Sequence, residues 1–218
     1  MTKFIDYWRM FASKGVGRPI SHLTEAVAFD LIHKVKTETR KTLGEYPSNL
    51  SKRTDIVPYQ PSYSSTVKTA LKFLQKSKSV NLSDFSFTDL GCGKGKVLIL
   101  ASNYAISEIK GVELDPELIS ICKSNLKTIK GQNIKVYLRD VNSFDEFRER
   151  EIIYCFNSFG GETLKSVLEK LEQKKEVYFI FCNPKHTMAF KNWNLIFSND
   201  EQIPFKRLKI FHHILERC

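Results

Sequence analysis

The chain has 218 residues, a length that suits one domain, with or without an appendage, and that can bury a single core. Its 34 Lys and Arg residues exceed its 24 Asp and Glu residues, so the net charge is +10, and 42% of the residues are hydrophobic. This globular composition excludes a disordered tail protein and a fibre. The longest apolar runs, Ile152–Phe156 and Val177–Cys182, are far shorter than the roughly 20 residues that cross a bilayer, so no membrane span is expected. Charged residues interrupt the amino terminus before a signal peptide forms, and we expect a cytoplasmic location.

The sequence predicts that the cysteines are reduced and do not bind a metal. The five are Cys92, Cys122, Cys155, Cys182 and Cys218. They form no C-x-x-C pair, and no histidine lies nearby at the spacing of a zinc ligand. Most lie in or beside apolar segments, where a free cysteine packs as a small hydrophobic residue.

Between about residue 66 and residue 182, segments with helical hydrophobic spacing alternate with short apolar strands. The predicted strands are Phe85–Leu90, Ile109–Glu113, Ile134–Leu138, Ile152–Phe156 and Val177–Cys182. The predicted helices carry apolar faces within residues 67–74, 97–105, 118–126 and 162–171. Asp115, Pro116 and Glu117 mark the start of one helix, because they supply an N-cap, a first-turn proline and a first-turn acid. A doubly wound α/β sheet is the expected fold.

Two further strands are predicted after this alternation ends at Asn183. The runs Trp193–Phe197 and Leu208–Ile214 are strand-like and have no helical pattern between them. We expect them to form an antiparallel pair that closes one edge of the sheet. The predicted sheet therefore has seven strands and is mostly parallel.

Residues 1–56 do not follow the alternation. We expect them to form a helical appendage that packs against a main domain of residues 57–218. One helical face in this appendage runs through Leu23, Val27, Leu31 and Val35. Tyr59 and Tyr63 follow it on either side of Pro61, which interrupts regular structure and favours a loop over a ligand. A core position for the two tyrosines is the alternative.

The segment Asp89–Lys96 follows the first predicted strand and carries glycine at positions 91, 93 and 95. Glycines at these positions allow a tight turn and let a ligand approach the backbone. The segment lacks the third glycine of the dinucleotide fingerprint and the pattern of a P-loop, so a phosphate-binding loop is disfavoured. The carboxylate of Asp89 instead suits a ligand with positive charge.

Polar residues also end the next three strands, namely Glu113, Asp140 and Asn157. In an open parallel sheet the ligand lies across the carboxyl ends of the strands, where an acid accepts hydrogen bonds from ribose hydroxyls. We expect Glu113 to bind both ribose hydroxyls and Asp140 to meet an adenine amino group. The pattern predicts a nucleoside with a cationic tail that carries no phosphate.

These segments resemble the class I S-adenosylmethionine-dependent methyltransferases. Phe87–Gly95 is similar to their first motif, Gly111–Asp115 to their acidic second-strand motif, and Arg139–Val141 to their adenine motif. The resemblance spans residues 57–214 and implies a Rossmann-like methyltransferase sheet with S-adenosyl-L-methionine as cofactor. The cofactor-binding residues it implies are Tyr59, Tyr63, Asp89, Gly91, Cys92, Gly93, Glu113, Leu114, Asp140, Val141 and Asn157.

Three shorter segments carry a finer resemblance to a group of small, uncharacterised bacterial methyltransferases. They are Tyr59–Tyr63, Phe156–Gly160 and Cys182–Pro184. A looser similarity connects the chain with the histone-lysine methyltransferases of the Dot1 type. The Asn-Pro-Phe that the family usually has at the fourth strand is here Asn157-Ser158-Phe159, which puts the substrate contact in doubt.

The predicted reaction is methyl transfer to a nitrogen or oxygen atom of an acceptor that the sequence does not name, whether a small molecule, a glycan or a protein. In-line transfer requires mainly that the two partners are held close together. Asn157 is the candidate catalytic residue, because it can accept a hydrogen bond from an amine and orient its lone pair. Capping of the next helix is its alternative role. A hydroxyl acceptor would need a base, for which His186 and Glu162 are candidates.

Two alternatives from other classes stay open. The charge of +10 suits an RNA methyltransferase, although the basic residues recur along the whole chain and a merely solvated surface explains them equally well. Nucleic acid is therefore a partner that the sequence allows but does not favour. A non-catalytic module that only binds the cofactor is the second alternative. The pattern specifies no oligomeric state.

Overall fold

A single seven-stranded sheet organises the chain, whose computed structural model describes residue 25 and residues 27–199 and 207–215. The strands are β1 (Ser86–Leu90), β2 (Glu108–Glu113), β3 (Ile134–Leu138), β4 (Arg150–Cys155), β5 (Glu176–Cys182), β6 (Asn194–Asn199) and β7 (Leu208–Ile214). Their order in the sheet is β3-β2-β1-β4-β5-β7-β6. Strands β1 to β5 pair in parallel, whereas β7 is antiparallel to both of its neighbours. The predicted mostly parallel sheet with an antiparallel terminal strand is confirmed.

Helices cover both faces of the sheet. They are α1 (27–33), α2 (Ser48–Ser51), α3 (Ser64–Ser77), α4 (Lys96–Ala101), α5 (Pro116–Leu126) and α6 (Gly161–Leu171). Single 3-10 turns lie at Leu43–Glu45, Leu82–Asp84, Val141–Ser143 and Thr187–Ala189. Among the described residues, no helix has the length and apolar character needed to cross a membrane.

Local capping explains where two of the helices begin and end. The carboxylate of Asp115 accepts the N–H groups of Glu117 and Leu118, which fixes the predicted start of α5. Helix α4 ends at Ala101, so its predicted continuation to residue 105 is wrong. The side chains of Ser102 and Asn103 donate to backbone carbonyls of the last turn, and such local bonds compete with continued helix.

Two apolar clusters lie on opposite faces of the sheet, and alternate residues of β4 show how the strands contribute to both. Ile152 and Tyr154 belong to one cluster, while Ile153 and Cys155 belong to the other. This double burial explains why the central strands are apolar without alternation. Cys92, Cys122, Cys155 and Cys182 are buried and free, as predicted, and Cys218 lies outside the described residues.

The predicted apolar face of the appendage is wrong in part. Val27 and Leu31 are 47% and 71% exposed, whereas Phe29 and Val35 are buried. Helix α1 ends before Val35, because Lys34 adopts a left-handed φ of 55° and turns the chain. Val35 therefore does not share a helical face with the residues that precede it. Leu23 lies outside the described residues.

An ion pair lies inside the amino-terminal half of the sheet. Lys110 and Glu151 are 1% and 0% exposed, and their charged atoms are 2.9 Å apart. The hydroxyls of Ser86 and Thr88 also donate to the Glu151 carboxylate, at 2.6 and 2.8 Å. These bonds join the starts of β1, β2 and β4 through one carboxylate.

We expect Glu151→Gln to destabilise the protein by about 3–5 kcal/mol, because it removes the carboxylate that pairs directly with the buried Lys110 ammonium. Equilibrium unfolding in urea at pH 7 measures the loss. Glu146→Gln is the control, since it removes a carboxylate from an exposed ion pair with Arg139 and should cost less than about 1 kcal/mol. Equal losses in the two variants would contradict the role assigned to the buried pair.

Candidate functional site

A cavity opens at the carboxyl edge of the sheet, between the strand ends and residues 53–62 of the preceding segment. Its volume is about 930 Å³ including the open solvent at its mouth. The ends of β1 and β2 and the turns after β3 and β4 form one wall, and residues 53 and 55–62 form much of the other. The predicted ligand position at the carboxyl edge therefore coincides with a real cavity.

Most of the predicted site residues lie together on the wall of this cavity. They are Tyr59, Asp89, Gly91, Cys92, Glu113, Leu114, Asp140 and Val141. Gly93, Tyr63 and Asn157 are not part of the wall among the described residues. Tyr63 and Asn157 are buried, and no hydrogen-bond partner among the described residues meets the Oδ1 atom of Asn157. Contact of a ligand with these three residues stays a prediction.

The glycine loop is shaped by side chains of the protein itself. Gly91 and Gly93 have φ angles of 81° and 52°, which L side chains rarely adopt. A Cβ atom on Gly91 would lie 2.5 Å from Oγ of Ser158, and one on Gly93 would lie 2.1 Å from the ring of Tyr59. The expectation that the glycines make room for a ligand is thus incomplete, because Gly93 makes room for Tyr59.

The carboxylate of Glu113 holds the glycine loop against the turn that follows β2. Its Oε2 accepts the N–H of Gly93 at 2.9 Å, and its Oε1 accepts those of Leu114 and Asp115 at 2.7 and 2.9 Å. Burial raises the pKa of Glu113, and these three bonds oppose that rise. A carboxylate has about four acceptor positions, so one stays open for a ligand hydroxyl. Binding both ribose hydroxyls, as predicted, would require one backbone N–H to be released.

Asp89 presents a carboxylate without a partner. The residue is 2% exposed and lies on the cavity wall, and its carboxylate makes no hydrogen bond or ion pair with the described residues. Burial, and then the charge of Glu113, raise the pKa of Asp89 well above its usual value. A buried anion without a counter-charge is unfavourable, so this position favours a ligand that brings a positive charge.

Asp140 lies at the other end of the cavity and is already hydrogen bonded. Its Oδ2 accepts a bond from Nη1 of Arg53 at 2.6 Å, and its Oδ1 accepts the N–H of Asn142 at 2.9 Å. Burial raises the pKa of Asp140, but the bonds from Arg53 and Asn142 outweigh it and the pKa is lowered. Two acceptor positions are left for a ligand amino group.

Sequence reasoning missed Arg53 and Gln60 as residues of the site. Arg53 pairs with a residue 87 positions away, so no local pattern could reveal it. Gln60 lies on the cavity wall, and its Nε2 is buried without a hydrogen-bond partner among the described residues. In the sequence, the signal for Gln60 was its position between Tyr59 and Pro61, in the loop predicted to lie over a ligand. The proposed bases, His186 and Glu162, are exposed and lie outside the described wall.

Lysines fasten the segment that precedes the main domain onto the glycine loop and helix α5. Nζ of Lys94 donates to the carbonyl of Thr39 and Nζ of Lys96 to Glu38, both at 2.6 Å. Lys41 reaches Asp115, the cap of α5, at 2.6 Å. Part of the positive charge therefore serves the fold.

Comparison with known proteins identifies relatives of this arrangement. The family model of a methyltransferase domain matches residues 81–213. Over 111 residues the chain is 27% identical to a ribosomal protein L11 methyltransferase of Thermoanaerobacter pseudethanolicus, which covers 51% of this chain and 34% of that protein. The chain therefore spans about a third of the length of the curated relatives it matches.

Solved structures share the fold. A putative RNA methyltransferase from Pyrococcus horikoshii aligns with a TM-score of 0.57 at 19% identity, over 86% of this chain and 94% of that one. A magnesium protoporphyrin IX methyltransferase from Synechocystis with bound SAM aligns with a TM-score of 0.53 at 14% identity, over 70% of this chain and 79% of that one. These likenesses confirm the Rossmann-like fold.

We expect Gly93→Ala to destabilise the protein more than Gly131→Ala. Both glycines have a positive φ, of 52° and 76°, so both variants carry backbone strain, which costs about 1 kcal/mol. Only at position 93 would the new methyl group meet a ring, that of Tyr59, whereas nothing lies within 4 Å at position 131. Thermal unfolding of the two variants measures the difference. Equal losses would show that Tyr59 moves away freely.

Proposed function

Since the chain belongs to the methyltransferase-domain family, whose model covers residues 81–213, we propose that it transfers a methyl group from S-adenosylmethionine to a nitrogen or oxygen atom of a small molecule, a glycan or a protein. The observation that carries the proposal is the carboxylate of Asp89, which has no partner among the described residues and lies on the wall of a cavity at the carboxyl edge of the sheet. It selects for a cationic ligand at the place where this fold binds nucleosides.

The family membership supports the predicted enzyme class and cofactor. The Synechocystis neighbours, which share the fold, were solved with bound SAM and SAH. The finer resemblance to small bacterial methyltransferases and to the Dot1 type stays a prediction, as does the cytoplasmic location. The acceptor and the roles of individual residues are proposals, which the contacts around the cavity support.

The residues of the cavity fit the cofactor. Asp89 would hold the cationic tail, Glu113 one ribose hydroxyl through its open acceptor position, and Asp140 the adenine amino group. The buried Nε2 of Gln60 meets no acceptor among the described residues and would donate to a ligand oxygen. A ligand with a cation, hydroxyls, an amino group and an oxygen acceptor would satisfy all four.

When bound, S-adenosylmethionine supplies an activated methyl group on its sulfonium. The chain's own part is to hold two partners in line and to exclude water, and orientation of this kind contributes up to roughly 7–11 kcal/mol. Asn157 would orient an amine acceptor. The support is that its buried Oδ1 has no hydrogen-bond partner among the described residues and that its φ is 45°. His186 and Glu162, both exposed, gain no support as bases.

The segment before the main domain would act as the cap on the acceptor side. In this proposal the cap consists of residues 1–56 together with Tyr59 and Tyr63. It covers the cofactor and selects the acceptor. Its support is that residues 53 and 55–62 line the cavity and that Tyr46 and Leu50 extend the same wall.

A second candidate acceptor is RNA. The net charge of +10 and the structural similarity to a protein named as a putative RNA methyltransferase favour it. The internal pairing of Lys41, Lys94 and Lys96 weakens the argument from charge. Binding to RNA would weaken steeply with salt, because phosphate contacts release counterions.

We expect Asp89→Asn to weaken the binding of S-adenosylmethionine and S-adenosylhomocysteine by about tenfold or more, because a charge-assisted hydrogen bond is lost. Adenosine has no cationic tail, so its affinity should change little. Isothermal calorimetry in the presence of a chelator measures all three ligands. Asp145→Asn, which removes an exposed carboxylate, is the matched control and should behave as wild type. Failure of folded wild type to bind either cofactor form would refute the proposal.

The same variant has a pH signature without ligand. Burial raises the pKa of Asp89 in the folded protein, so ionisation there opposes folding, and wild type loses stability as pH rises from the usual carboxyl pKa through the raised one. Asp89→Asn lacks this loss. We therefore expect it to be more stable than wild type near pH 7, by on the order of 1 kcal/mol, with the gap closing near pH 3.5.

The acceptor itself can be found by labelling. Incubation with methyl-labelled cofactor and fractionated bacterial extract should place label in a small-molecule, glycan or protein fraction with wild type. The Asp89→Asn protein should place much less label there. Label in RNA would favour the second candidate, and absence of label in every fraction would favour a module that only binds the cofactor.

A further inference from the structure

Arg53 joins two sides of the cavity mouth. Its Nη1 bonds to Asp140 at 2.6 Å, beyond the end of β3. Its Nε and Nη2 bond to the two carboxylate oxygens of Asp55 at 2.9 and 2.7 Å. The planar guanidinium thus makes a two-bond fork to one acid and a single strong bond to another.

Asp55 carries the connection on to the opposite side of the mouth. Its backbone carbonyl accepts the N–H of Gly160 at 3.1 Å, and its carboxylate accepts the hydroxyl of Thr163 at 3.2 Å. The next residue, Ile56, forms an isolated antiparallel bridge with Phe159. A series of hydrogen bonds therefore extends from the turn after β3 to helix α6 and links Asp140, Arg53, Asp55 and Thr163.

We call residues 53–62 the strap. It begins with Arg53 and Asp55 of this series and leads to helix α3. All of its residues except Thr54 line the cavity, and the strap is held further by a bond from the N–H of Tyr59 to the hydroxyl of Tyr46 at 2.9 Å. The side chains of Arg53, Asp55 and Asp140 are 31%, 28% and 28% exposed. Their pairing is thus partly shielded from water, and it is stronger than that of a fully exposed pair.

We infer that Arg53 is a positioning residue that latches the strap over the adenosine end of the cavity and so controls how fast the cofactor enters and leaves. The inference rests on the proposed cofactor site. Arg53 and Asn142 fill two of the roughly four acceptor positions of Asp140, so an adenine amino group can bind there while the latch stays closed. The latch then makes the same bonds with and without ligand. Because it must open both for entry and for exit, it limits the association rate and the dissociation rate of the cofactor alike.

The test is the exchange kinetics of S-adenosylhomocysteine with Arg53→Met, measured by stopped-flow. We expect the association and dissociation rates each to rise about tenfold, as for loss of a charge-assisted bond, while Kd changes by less than about threefold. Arg53→Lys keeps the charge without the fork and should give an intermediate rise. Lys52→Met removes a charge from the exposed neighbour and should leave both rates unchanged.

Amide hydrogen exchange of the ligand-free protein provides a second measurement. The N–H groups of Gly160 and Tyr59 fasten the strap, so Arg53→Met should speed their exchange about tenfold, whereas Lys52→Met should not. Unchanged exchange rates of ligand and amides in Arg53→Met would overturn the latch. A faster dissociation with unchanged or slower association would also overturn it, because a merely damaged site behaves in that way.

The two proposals fail separately. If folded wild type does not bind S-adenosylhomocysteine, the proposed function fails and the control of cofactor exchange fails with it, whatever the amides do. If wild type binds and the variant shows wild-type rates, only the latch fails.

Discussion

The three bonds that Glu113 accepts are the interaction on which the site depends. They join the glycine loop after β1 to the turn after β2 through one half-buried carboxylate. A tight loop with positive φ angles exposes backbone N–H groups that need acceptors, and this acid supplies one from the neighbouring strand. The acid is therefore part of the architecture as well as a candidate ligand contact. Its single open acceptor position restricts what it can add to binding.

The cavity is strongly asymmetric in its electrostatics. At one end Asp89 has no partner within the described part of the chain, and burial raises its pKa. At the other end the carboxylates of Asp55 and Asp140 share Arg53, and their pKa values are lowered. A ligand with a cation on one side and neutral hydrogen-bond donors on the other matches this division. An anionic ligand such as a nucleotide phosphate would meet repulsion next to Asp89.

The sheet and the strand-end acids of the cavity wall could be predicted from the sequence, because hydrophobic periodicity and strand-end residues are local signals. The end of α4 could not, since Ser102 and Asn103 compete with the helix through bonds that hydrophobic spacing does not register. Contacts between residues far apart in the sequence could not be predicted either. The reason for Gly93 is the ring of Tyr59, and the partner of Asp140 is Arg53, both from a segment that follows no periodic pattern.

The buried pair of Lys110 and Glu151 lies in the amino-terminal half of the strands, whereas the cavity lies at their carboxyl ends. The strands thus separate the ion pair that stabilises the sheet from the residues that would contact a ligand. Substitutions in the loops of the carboxyl edge can accumulate without disturbing the anchor, so the acceptor preference of this chain can drift over evolutionary time while the scaffold stays intact. An engineer who diversifies the turn after β4 would use the same tolerance.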